Sequence, residues 1–287
     1  MKVFQKGFNY SQDGPGNRLV FHLQGCNMRC PWCANPEGFE RDGVLMTDER
    51  WLSPQLCPHG AAEGTGLNRA LCKDCTGKEC ISHKSKGIYA SCQDLAPKDV
   101  IEEALSAQMM YYDGGGVTFT GGECTLQFDE LQTVLQTLKE RGIHTAIESN
   151  GTHPGLQKLF PFVDCLILDC KLIDGEKHRE ILGISNELIL RNIRRAAETH
   201  PCVHVRVPLV GGVNNGEKEI KELLAFFRSL PRDHTSFEVL KYHEYGKNKW
   251  RQCGLDYKMD EKAKVTAEEV RAFWQRIKDA GLQYRRT

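Results

Sequence analysis

Three cysteines lie close together near the start of the chain, at Cys26, Cys30 and Cys33. The spacing Cys-x3-Cys-x2-Cys allows three thiolates to hold three irons of a [4Fe–4S] cluster and leaves the fourth iron open, whereas ordinary electron-transfer clusters use four cysteines. An open iron is a Lewis acid that can take a chelating ligand. A zinc ion would need a fourth close ligand, and none is obvious nearby. We therefore expect these cysteines to carry iron–sulfur chemistry.

A second group of cysteines has the spacing Cys-x2-Cys-x4-Cys. It departs slightly from the compact ferredoxin run, in which the last cysteine precedes proline and binds the other cluster. A Cys-Pro pair of that kind occurs earlier in the chain, at Cys57. The pattern predicts a second [4Fe–4S] cluster. We interpret the segment as a ferredoxin-like unit that has lost one of its two clusters and kept the other. Its expected ligands are Cys57, Cys72, Cys75 and Cys80.

Two alternatives stay open for this second site. Cys92 competes with Cys57 for the fourth ligand position. A structural zinc ion is the other alternative, because zinc sites built from four cysteines have similar spacings. His59 and His83 lie in the same segment and support it.

The chain has thirteen cysteines in 287 residues, which is unusual for a protein of a reducing compartment. Clustered cysteines there more often bind metal or do chemistry than form disulfides. Five cysteines have no metal-like spacing, and we interpret them as buried free thiols. They are Cys124, Cys165, Cys170, Cys202 and Cys253.

The charge of the chain is balanced, with 38 basic and 38 acidic residues. A balanced charge gives no support for a nucleic-acid binder or a membrane-surface binder. No apolar run approaches the length needed to span a bilayer, and the first residues lack the apolar segment of a signal peptide. We therefore expect a cytoplasmic protein.

Past residue 95 the sequence alternates between strand-like and helix-like segments, which indicates an α/β fold of parallel βαβ units. Six units suggest an open, partial (β/α)6 barrel, although the pattern alone does not exclude a doubly wound sheet. The six predicted strands are Leu19–Leu23, Val117–Thr120, Ile143–Glu148, Cys165–Cys170, Val203–Val207 and Phe237–Leu240.

One stretch, residues 40–95, interrupts this alternation because it is rich in Gly, Lys and Cys and has no sustained periodicity. We interpret it as a small, Cys-rich, ferredoxin-like insertion after the first strand. Such a segment has little core of its own, so a metal site would explain how it folds. The remainder, residues 1–39 and 96–287, would form the partial barrel.

The first cysteine motif, with Trp32 before its last cysteine, resembles the signature of the radical S-adenosylmethionine superfamily. Further segments resemble motifs of the glycyl-radical-enzyme activating enzymes, and outside the insertion the arrangement is similar to pyruvate formate-lyase activating enzymes. The matching segments occur in the same order and cover nearly the whole chain. They are Asp13–Arg18, Thr120–Glu123, Glu148–Gly151, Asp169–Lys171 and Tyr242–Lys247.

The resemblance implies an enzyme that reductively cleaves S-adenosylmethionine to a 5′-deoxyadenosyl radical. This radical would abstract a Cα hydrogen from a glycine and so install a glycyl radical on a partner enzyme under anaerobic conditions. Flavodoxin or ferredoxin is the implied electron donor, and the protein is expected to be a monomer. A radical enzyme that acts on a small molecule is the alternative. A ferredoxin-like electron carrier would explain neither the three-cysteine motif nor six βα units.

The resemblance also implies roles for individual residues. Cys26, Cys30, Cys33 and Lys171 would be catalytic, and Asp13 would hold the substrate peptide. Carboxylates of Glu148 and Asp169 would contribute to a monovalent cation site, although Glu148 stands where this family has Asp. The residues expected to bind the cofactor are Trp32, Asn35, Gly121, Gly122, Glu123, Glu148, Ser149, Asp169, Lys171, Arg206 and His243.

Overall fold

The structure is a computed structural model that describes residues 1–64, 66–73, 75, 79–82, 86–231 and 233–285. His83, considered above as a zinc ligand, lies outside these residues. No helix among the described residues is long and apolar enough to cross a bilayer.

Thirteen strands are formed by the described residues. They are β1 (Lys2–Tyr10), β2 (Asn17–Leu23), β3 (Leu45–Thr47), β4 (Ala62–Glu63), β5 (Gly66–Leu67), β6 (Ile88–Ala90), β7 (Gln93–Asp94), β8 (Gly116–Gly121), β9 (Thr145–Ser149), β10 (Cys165–Asp169), β11 (Val203–Leu209), β12 (Thr235–Lys241) and β13 (Gln283–Tyr284).

Nine helices are formed by the described residues, and most of the longer ones lie between parallel strands. They are α1 (Arg69–Lys73), α2 (Glu79–Ser82), α3 (Pro97–Ser106), α4 (Phe128–Glu140), α5 (Gly175–Leu182), α6 (Glu187–Thr199), α7 (Glu217–Arg228), α8 (Lys247–Gln252) and α9 (Ala267–Asp279). Their starts carry the expected capping side chains in two cases, since Asp174 accepts hydrogen bonds at the start of α5 and Thr266 forms a capping box at the start of α9.

Nine strands form one sheet in the order β13-β12-β11-β10-β9-β8-β2-β1-β7. The strands from β2 to β12 in this sheet are parallel and follow one another in chain order, which confirms the mostly parallel α/β fold and the positions of all six predicted strands. Because the order never reverses, right-handed crossovers place the helices on one face of the sheet. A doubly wound sheet, whose order reverses at a switch point, is thereby excluded.

The two faces of this sheet differ in chemistry. One face, the apolar face, packs against the helices and carries fully buried side chains such as Phe21, Phe119 and Leu166, which meet Leu135 and Phe227 of the helices. The opposite face, the polar face, carries residues such as Arg18, Thr118 and Arg206, because side chains alternate along each strand. The charged residues predicted for the site therefore share a face without disturbing the core.

The N-terminal strand β1 was missed by the sequence pattern. It pairs antiparallel with β2 from Val3↔Leu23 to Tyr10↔Asn17, and five of its nine residues are exposed. With most of its side chains partly or fully solvated and no regular apolar alternation, such a strand leaves little signal in the sequence. The first of the parallel strands, β2, is therefore the second strand of the chain.

Within residues 40–95, the described part forms two short antiparallel pairs, β3 with β6 and β4 with β5. Their core is small: Ala62, Cys80 and Ile88 form a cluster separate from the main one. The end of this segment joins the main sheet, because β7 pairs with β1 at Lys2↔Asp94 and Val3↔Gln93.

Candidate active site

The carboxyl ends of the parallel strands surround a cavity of about 220 Å³. Active sites of parallel βα folds lie at this end of the strands. Ten of the residues predicted for the site line it: Cys26, Cys30, Trp32, Cys33, Gly121, Gly122, Glu148, Asp169, Lys171 and His243. The structure thus brings together residues that are up to 217 positions apart in the chain (from 26 to 243).

The three cysteines of the first motif lie on the loop after β2. Backbone N–H groups donate to two of the sulfurs, Met28 N to Cys26 Sγ at 3.4 Å and Asn35 N to Cys33 Sγ at 3.3 Å. Burial raises the pKa of the Cys26 thiol to about 12, and it also raises the pKa of Cys30 and of Cys33. A bound metal has to displace these protons, as coordination to a thiolate does. Three clustered thiols with N–H donors to sulfur fit an iron–sulfur cluster, whose properties depend on such hydrogen bonds.

The cysteine loop is held from a distant part of the chain. In α8, the indole Nε1 of Trp250 donates to the Cys33 carbonyl at 2.9 Å. Lys249 Nζ donates to Asn35 Oδ1 at 2.8 Å and to Glu37 Oε1 at 2.5 Å. Asn35, predicted to bind the cofactor, therefore has its side-chain oxygen occupied by Lys249 and does not line the cavity.

Positions 121 and 122 require glycine, because the backbone of residues 23–25 lies too close to leave room for a Cβ atom. A Cβ on Gly121, whose φ is +123°, would lie 2.4 Å from Leu23 N, and a Cβ on Gly122 would lie 2.2 Å from Gly25 O. Gly122 N donates to Leu23 O at 3.0 Å. The glycines thus bring the end of β8 against the start of the cysteine loop, and they also form part of the cavity wall.

Glu123 does not line the cavity with its side chain. The carboxylate is fully buried and accepts from Ser149 Oγ at 2.8 Å and from Asn150 N at 2.6 Å, besides two bonds from Thr125. Burial raises the pKa of Glu123, and these hydrogen bonds oppose that rise. The side chains of Glu123 and Ser149 therefore connect the end of β8 to the end of β9. Both residues were predicted to bind the cofactor, and the structure places their side chains in this connection instead.

Asp169 and Lys171 form an ion pair at the end of β10, with Lys171 Nζ 2.5 Å from Asp169 Oδ2. Burial alone would lower the pKa of Lys171, but Asp169 and then Cys30 raise it above its ordinary value. The cavity wall therefore contains one carboxylate and one ammonium beside the cysteines, as expected for a site that receives a zwitterionic amino acid.

Arg206 lies on the polar face next to the cavity and is 4% exposed. Its guanidinium lies between two carboxylates, 2.8 Å from Glu148 Oε1 and 2.8 Å from Glu238 Oε2. Thr120 Oγ1 also donates to Glu148, at 3.1 Å. Arg206 does not line the cavity itself, so its direct role here is to hold Glu148, which does.

Asp13 lies in the loop between β1 and β2, which reaches the polar face. Thr118 Oγ1 donates to the Asp13 carbonyl at 2.7 Å, and Arg206 donates to the carbonyl of Gln12. Asn9 Nδ2 donates to Asp13 Oδ2 at 2.5 Å. The other carboxylate oxygen, Oδ1, accepts no hydrogen bond from the described residues, so it is available to a ligand.

His243 follows β12 and lines the cavity. Its ring stacks on Tyr245 with centroids 4.2 Å apart, and burial lowers its pKa, so the ring is neutral near neutral pH. A neutral ring can accept or donate one hydrogen bond at each nitrogen.

Several residues of the site were missed by sequence reasoning. Asn150 lines the cavity and its amide donates to Asn27 Oδ1 at 3.0 Å, while Tyr242 and Phe39 form apolar wall. Asn150 and Tyr242 lie inside the motifs Glu148–Gly151 and Tyr242–Lys247, so the motifs themselves could have indicated these two residues. Lys249 and Trp250 had no signal, because their role appears only where α8 packs on the cysteine loop.

The second group of cysteines also comes together. Cys57, Cys72, Cys75 and Cys80 line one small cavity with His59. Cys92 lies elsewhere, beside Gly43 and near Lys2, and does not line this cavity. The arrangement therefore favours Cys57 over Cys92 as the companion of the other three.

Comparison with known proteins shows the family of this chain. The model of the radical SAM superfamily matches residues 78–226. The 4-hydroxyphenylacetate decarboxylase activating enzyme of Clostridioides difficile (strain 630) is 32% identical over 273 residues, 88% of this chain and 85% of that protein. The choline trimethylamine-lyase activating enzyme of Oleidesulfovibrio alaskensis is 32% identical over 268 residues, 86% of this chain and 85% of that protein.

A solved structure is similar as well. A domain of a pyruvate-formate lyase-activating enzyme from Bacteroides vulgatus superimposes with a TM-score of 0.50 at 32% identity, covering 60% of this chain and 98% of that one. The two relatives match most of the chain at 32% identity. The chain therefore belongs to the glycyl-radical-enzyme activating enzymes of the radical SAM superfamily.

Proposed function

We propose that the cavity at the carboxyl ends of the strands is where this chain holds a [4Fe–4S] cluster and S-adenosylmethionine, and where it installs a glycyl radical on a partner enzyme. The observation that carries the proposal is that three buried thiols and the Asp169–Lys171 ion pair line one cavity. When bound, the cluster supplies the electron that cleaves S-adenosylmethionine. Cys26, Cys30 and Cys33 would hold the cluster.

The other residues of the cavity would bind S-adenosylmethionine and orient it. The carboxylate of Asp169 and the ammonium of Lys171 offer both charges to a zwitterionic methionine group, and their ion pair already holds them in place, so they need little reorganisation. Phe39, Tyr242 and Leu240 form apolar wall that excludes water from the reacting atoms. His243, neutral through its lowered pKa, presents a hydrogen-bonding edge without a competing charge.

The expected monovalent cation site has to be reconsidered in this proposal. Glu148 is paired with Arg206, and Asp169 is paired with Lys171. A monovalent cation would have to compete with a guanidinium and an ammonium for these carboxylates. We assign the positive charge beside the cofactor to Lys171, with Arg206 holding Glu148 in place.

We further propose that the parallel sheet curves into a partial (β/α)6 barrel with its polar face inside. The insertion, residues 40–95, would then be a separate unit with a second [4Fe–4S] cluster on Cys57, Cys72, Cys75 and Cys80. Cys57, Cys72, Cys75 and Cys80 line one small cavity, which supports four thiolates around one metal centre.

Iron analysis tests this second cluster. Reconstituted under anaerobic conditions, the protein should hold about eight irons, four for each cluster. The double variant Cys72→Ala, Cys75→Ala should hold about four, because it removes two ligands of one cluster only. Cys92→Ala is the matched control and should keep about eight irons, since Cys92 lies away from this cavity. Four irons together with one zinc in the unaltered protein would show that the second site is a zinc site.

The partner contributes the glycine, and Asp13 is proposed to hold the peptide segment that carries it. An extended peptide presents N–H groups, and Asp13 Oδ1 is an acceptor left free by the described residues. The Asp13 loop is fastened to the polar face through Thr118 and Arg206, so the acceptor is held beside Glu148. A flavodoxin or ferredoxin is the proposed electron donor. We propose that the enzyme works as a monomer in the cytoplasm.

Replacement of Asp13 tests the protein substrate. A charge-assisted hydrogen bond is worth about 1.5–3 kcal/mol, so Asp13→Ala should lower glycyl-radical formation on a cognate partner by roughly ten- to a hundred-fold. Cleavage of S-adenosylmethionine without the partner should stay nearly unchanged, because the cofactor cavity does not include Asp13. The glycyl-radical signal in electron paramagnetic resonance and the yield of 5′-deoxyadenosine are measured side by side.

Gln12→Ala is the neighbouring control. Only the backbone carbonyl of Gln12 meets Arg206, and its side chain is exposed, so this variant should form the radical at the normal rate. Equal radical yields from the Asp13→Ala variant and the unaltered enzyme would remove Asp13 from the peptide site. Consumption of the radical by a small molecule, with no partner protein ever labelled, would overturn the proposed substrate.

A further inference from the structure

A third cluster of metal-binding side chains lies on the polar face, away from the cavity. Cys165 of β10, Cys202 directly before β11 and His204 of β11 place one ligand atom each within 4.8 Å of one another, and we call these three residues the Cys165 cluster. Asp169 lies four residues further along β10 on the same face, which separates the cluster from the end of β10 at the cavity by about 13 Å. It lies at the amino ends of the strands, so it belongs to neither iron–sulfur site.

The register of the sheet creates the cluster. The pairing Leu166↔Val203 places Cys165 of β10 beside Cys202, which directly precedes β11. His204 follows Cys202 by two residues, so both side chains point to the same face. No local pattern predicts this contact, because Cys165 and Cys202 are 37 positions apart in the chain.

A hydrogen bond from a neighbouring strand fixes the ring of His204 in an orientation that suits a metal ligand. Ser236 Oγ is hydrogen-bonded to Nδ1 of His204, and Nε2 lies 3.8 Å from Cys202 Sγ. A ligating histidine commonly has its second ring nitrogen hydrogen-bonded in this way, which fixes the ring. The sulfurs of Cys165 and Cys202 lie within 4.8 Å of each other and of a nitrogen of this ring, so three ligand atoms of the types that zinc takes lie together.

We propose that the Cys165 cluster is a binding site for a thiophilic divalent metal ion such as Zn²⁺. Two sulfurs and one imidazole nitrogen are the ligand types that zinc prefers, and three protein ligands leave the fourth tetrahedral position open. Binding releases the protons that the two thiols carry, and the two thiolates then balance the charge of the ion. The proposal rests on these three side chains and is independent of the function proposed above.

Arg285 competes with a metal ion for the ring of His204. Its Nη1 lies 2.5 Å from Nε2 of His204, so the guanidinium occupies the lone pair that the metal needs. Arg285 is only partly buried and is held to β12 through its backbone N–H, which donates to Phe237 O at 2.9 Å. Its side chain can therefore leave while its backbone stays. Removing this side chain should strengthen metal binding, which a merely structural cluster would not predict.

The test uses the holoenzyme with its iron–sulfur sites filled, so that the cysteines of those sites are occupied. Zn²⁺ is added under anaerobic conditions, and bound zinc is measured by mass spectrometry after gel filtration. Co²⁺ serves as the spectroscopic probe, since cobalt bound to thiolate absorbs in the near ultraviolet. We expect about one zinc per chain beyond the iron, and a cobalt–thiolate band.

The variants locate the ion. Cys202→Ala and His204→Ala each remove a ligand at a partly exposed position and should weaken zinc binding by at least about a hundred-fold, whereas Ser236→Ala should weaken it by about ten-fold. Arg285→Ala should tighten it by about ten-fold, because one charge-assisted hydrogen bond no longer competes. Cys253→Ala, which removes a buried cysteine outside the cluster, is the control and should bind as the unaltered enzyme does.

Other outcomes would overturn the assignment. Zinc bound equally well by the Cys202→Ala and His204→Ala variants would lie elsewhere in the chain. No zinc beyond the iron in the unaltered enzyme and in Arg285→Ala would show that the cluster does not bind metal. A disulfide between Cys165 and Cys202 in the anaerobic holoenzyme, detected in alkylated peptides, would show that the pair serves another purpose. Iron content and circular dichroism of each variant confirm that it has folded.

Discussion

Replacement of Cys30 by alanine should abolish formation of 5′-deoxyadenosine from S-adenosylmethionine. Cys30 is 9% exposed and lines the cavity with the other two cysteines of its motif. Its removal leaves two thiols for a cluster that already has one iron without a cysteine. Iron should fall from about eight to about four per chain, because only this cluster is lost. The product is measured by chromatography after reduction with dithionite.

Cys253→Ala is the matched control for this experiment. Cys253 is also a buried thiol, 4% exposed, but it lies outside both groups of clustered cysteines and outside the cavity. This variant should keep its iron and form the product at the normal rate. If the Cys30→Ala variant still formed 5′-deoxyadenosine, the cysteines assigned to the first cluster would have to be revised.

Replacement of Arg206 by leucine should destabilise the protein by about 3–5 kcal/mol, the usual cost of breaking a buried ion pair by removing one partner. The guanidinium lies between Glu148 and Glu238, and all three side chains are largely buried. For a chain of this size the loss corresponds to a fall of about 5–15 °C in the thermal midpoint. The midpoint is measured on the anaerobic holoenzyme by circular dichroism.

The loss should depend on pH. Burial already raises the pKa of Glu148, and Arg206 opposes that rise, so the pKa should rise further in the variant. A group whose pKa is higher in the folded than in the unfolded state stabilises at low pH, and this contribution is lost as the pH rises through the folded-state value. The Arg206→Leu variant should therefore be less destabilised at mildly acidic than at mildly alkaline pH.

Two further variants test this explanation. Adding Glu148→Gln and Glu238→Gln to Arg206→Leu should recover part of the lost stability and flatten its pH dependence, because no buried carboxylate is then left without the guanidinium. Arg276→Leu breaks an exposed ion pair with Glu217 and should change stability by less than about 1 kcal/mol. An Arg206→Leu variant as stable as Arg276→Leu would show that the buried pairs contribute little.

Much of the fold was predictable because it follows from local patterns. Each of the six parallel strands is a short apolar run, and apolar stripes at helical spacing mark helices such as α4, with Leu131, Val134, Leu135 and Leu138 on its buried face. Strand β1 was not predictable, because most of its side chains are solvated and carry no alternating pattern.

Much of the site was also predictable, since its motifs follow the strands that place them. The sequence did not distinguish residues that line the cavity from residues that support it. Glu123, Ser149, Asn35 and Arg206 were all expected at the cofactor, yet their side chains bind other parts of the chain. A motif conveys which residues lie near a site, whereas the direction of each side chain depends on hydrogen-bond partners supplied by other strands.

By itself, the sequence determined the residue types, the spacing of both cysteine groups and the succession of βα units, because these depend on neighbours within a few residues. Only the tertiary structure decided the long-range partners: Trp250 against Cys33, Arg206 between two glutamates, and Cys57 rather than Cys92 beside the second group. It also placed Cys165 beside Cys202. Strand register sets such contacts, and register is fixed by burial of a whole face rather than by any local motif.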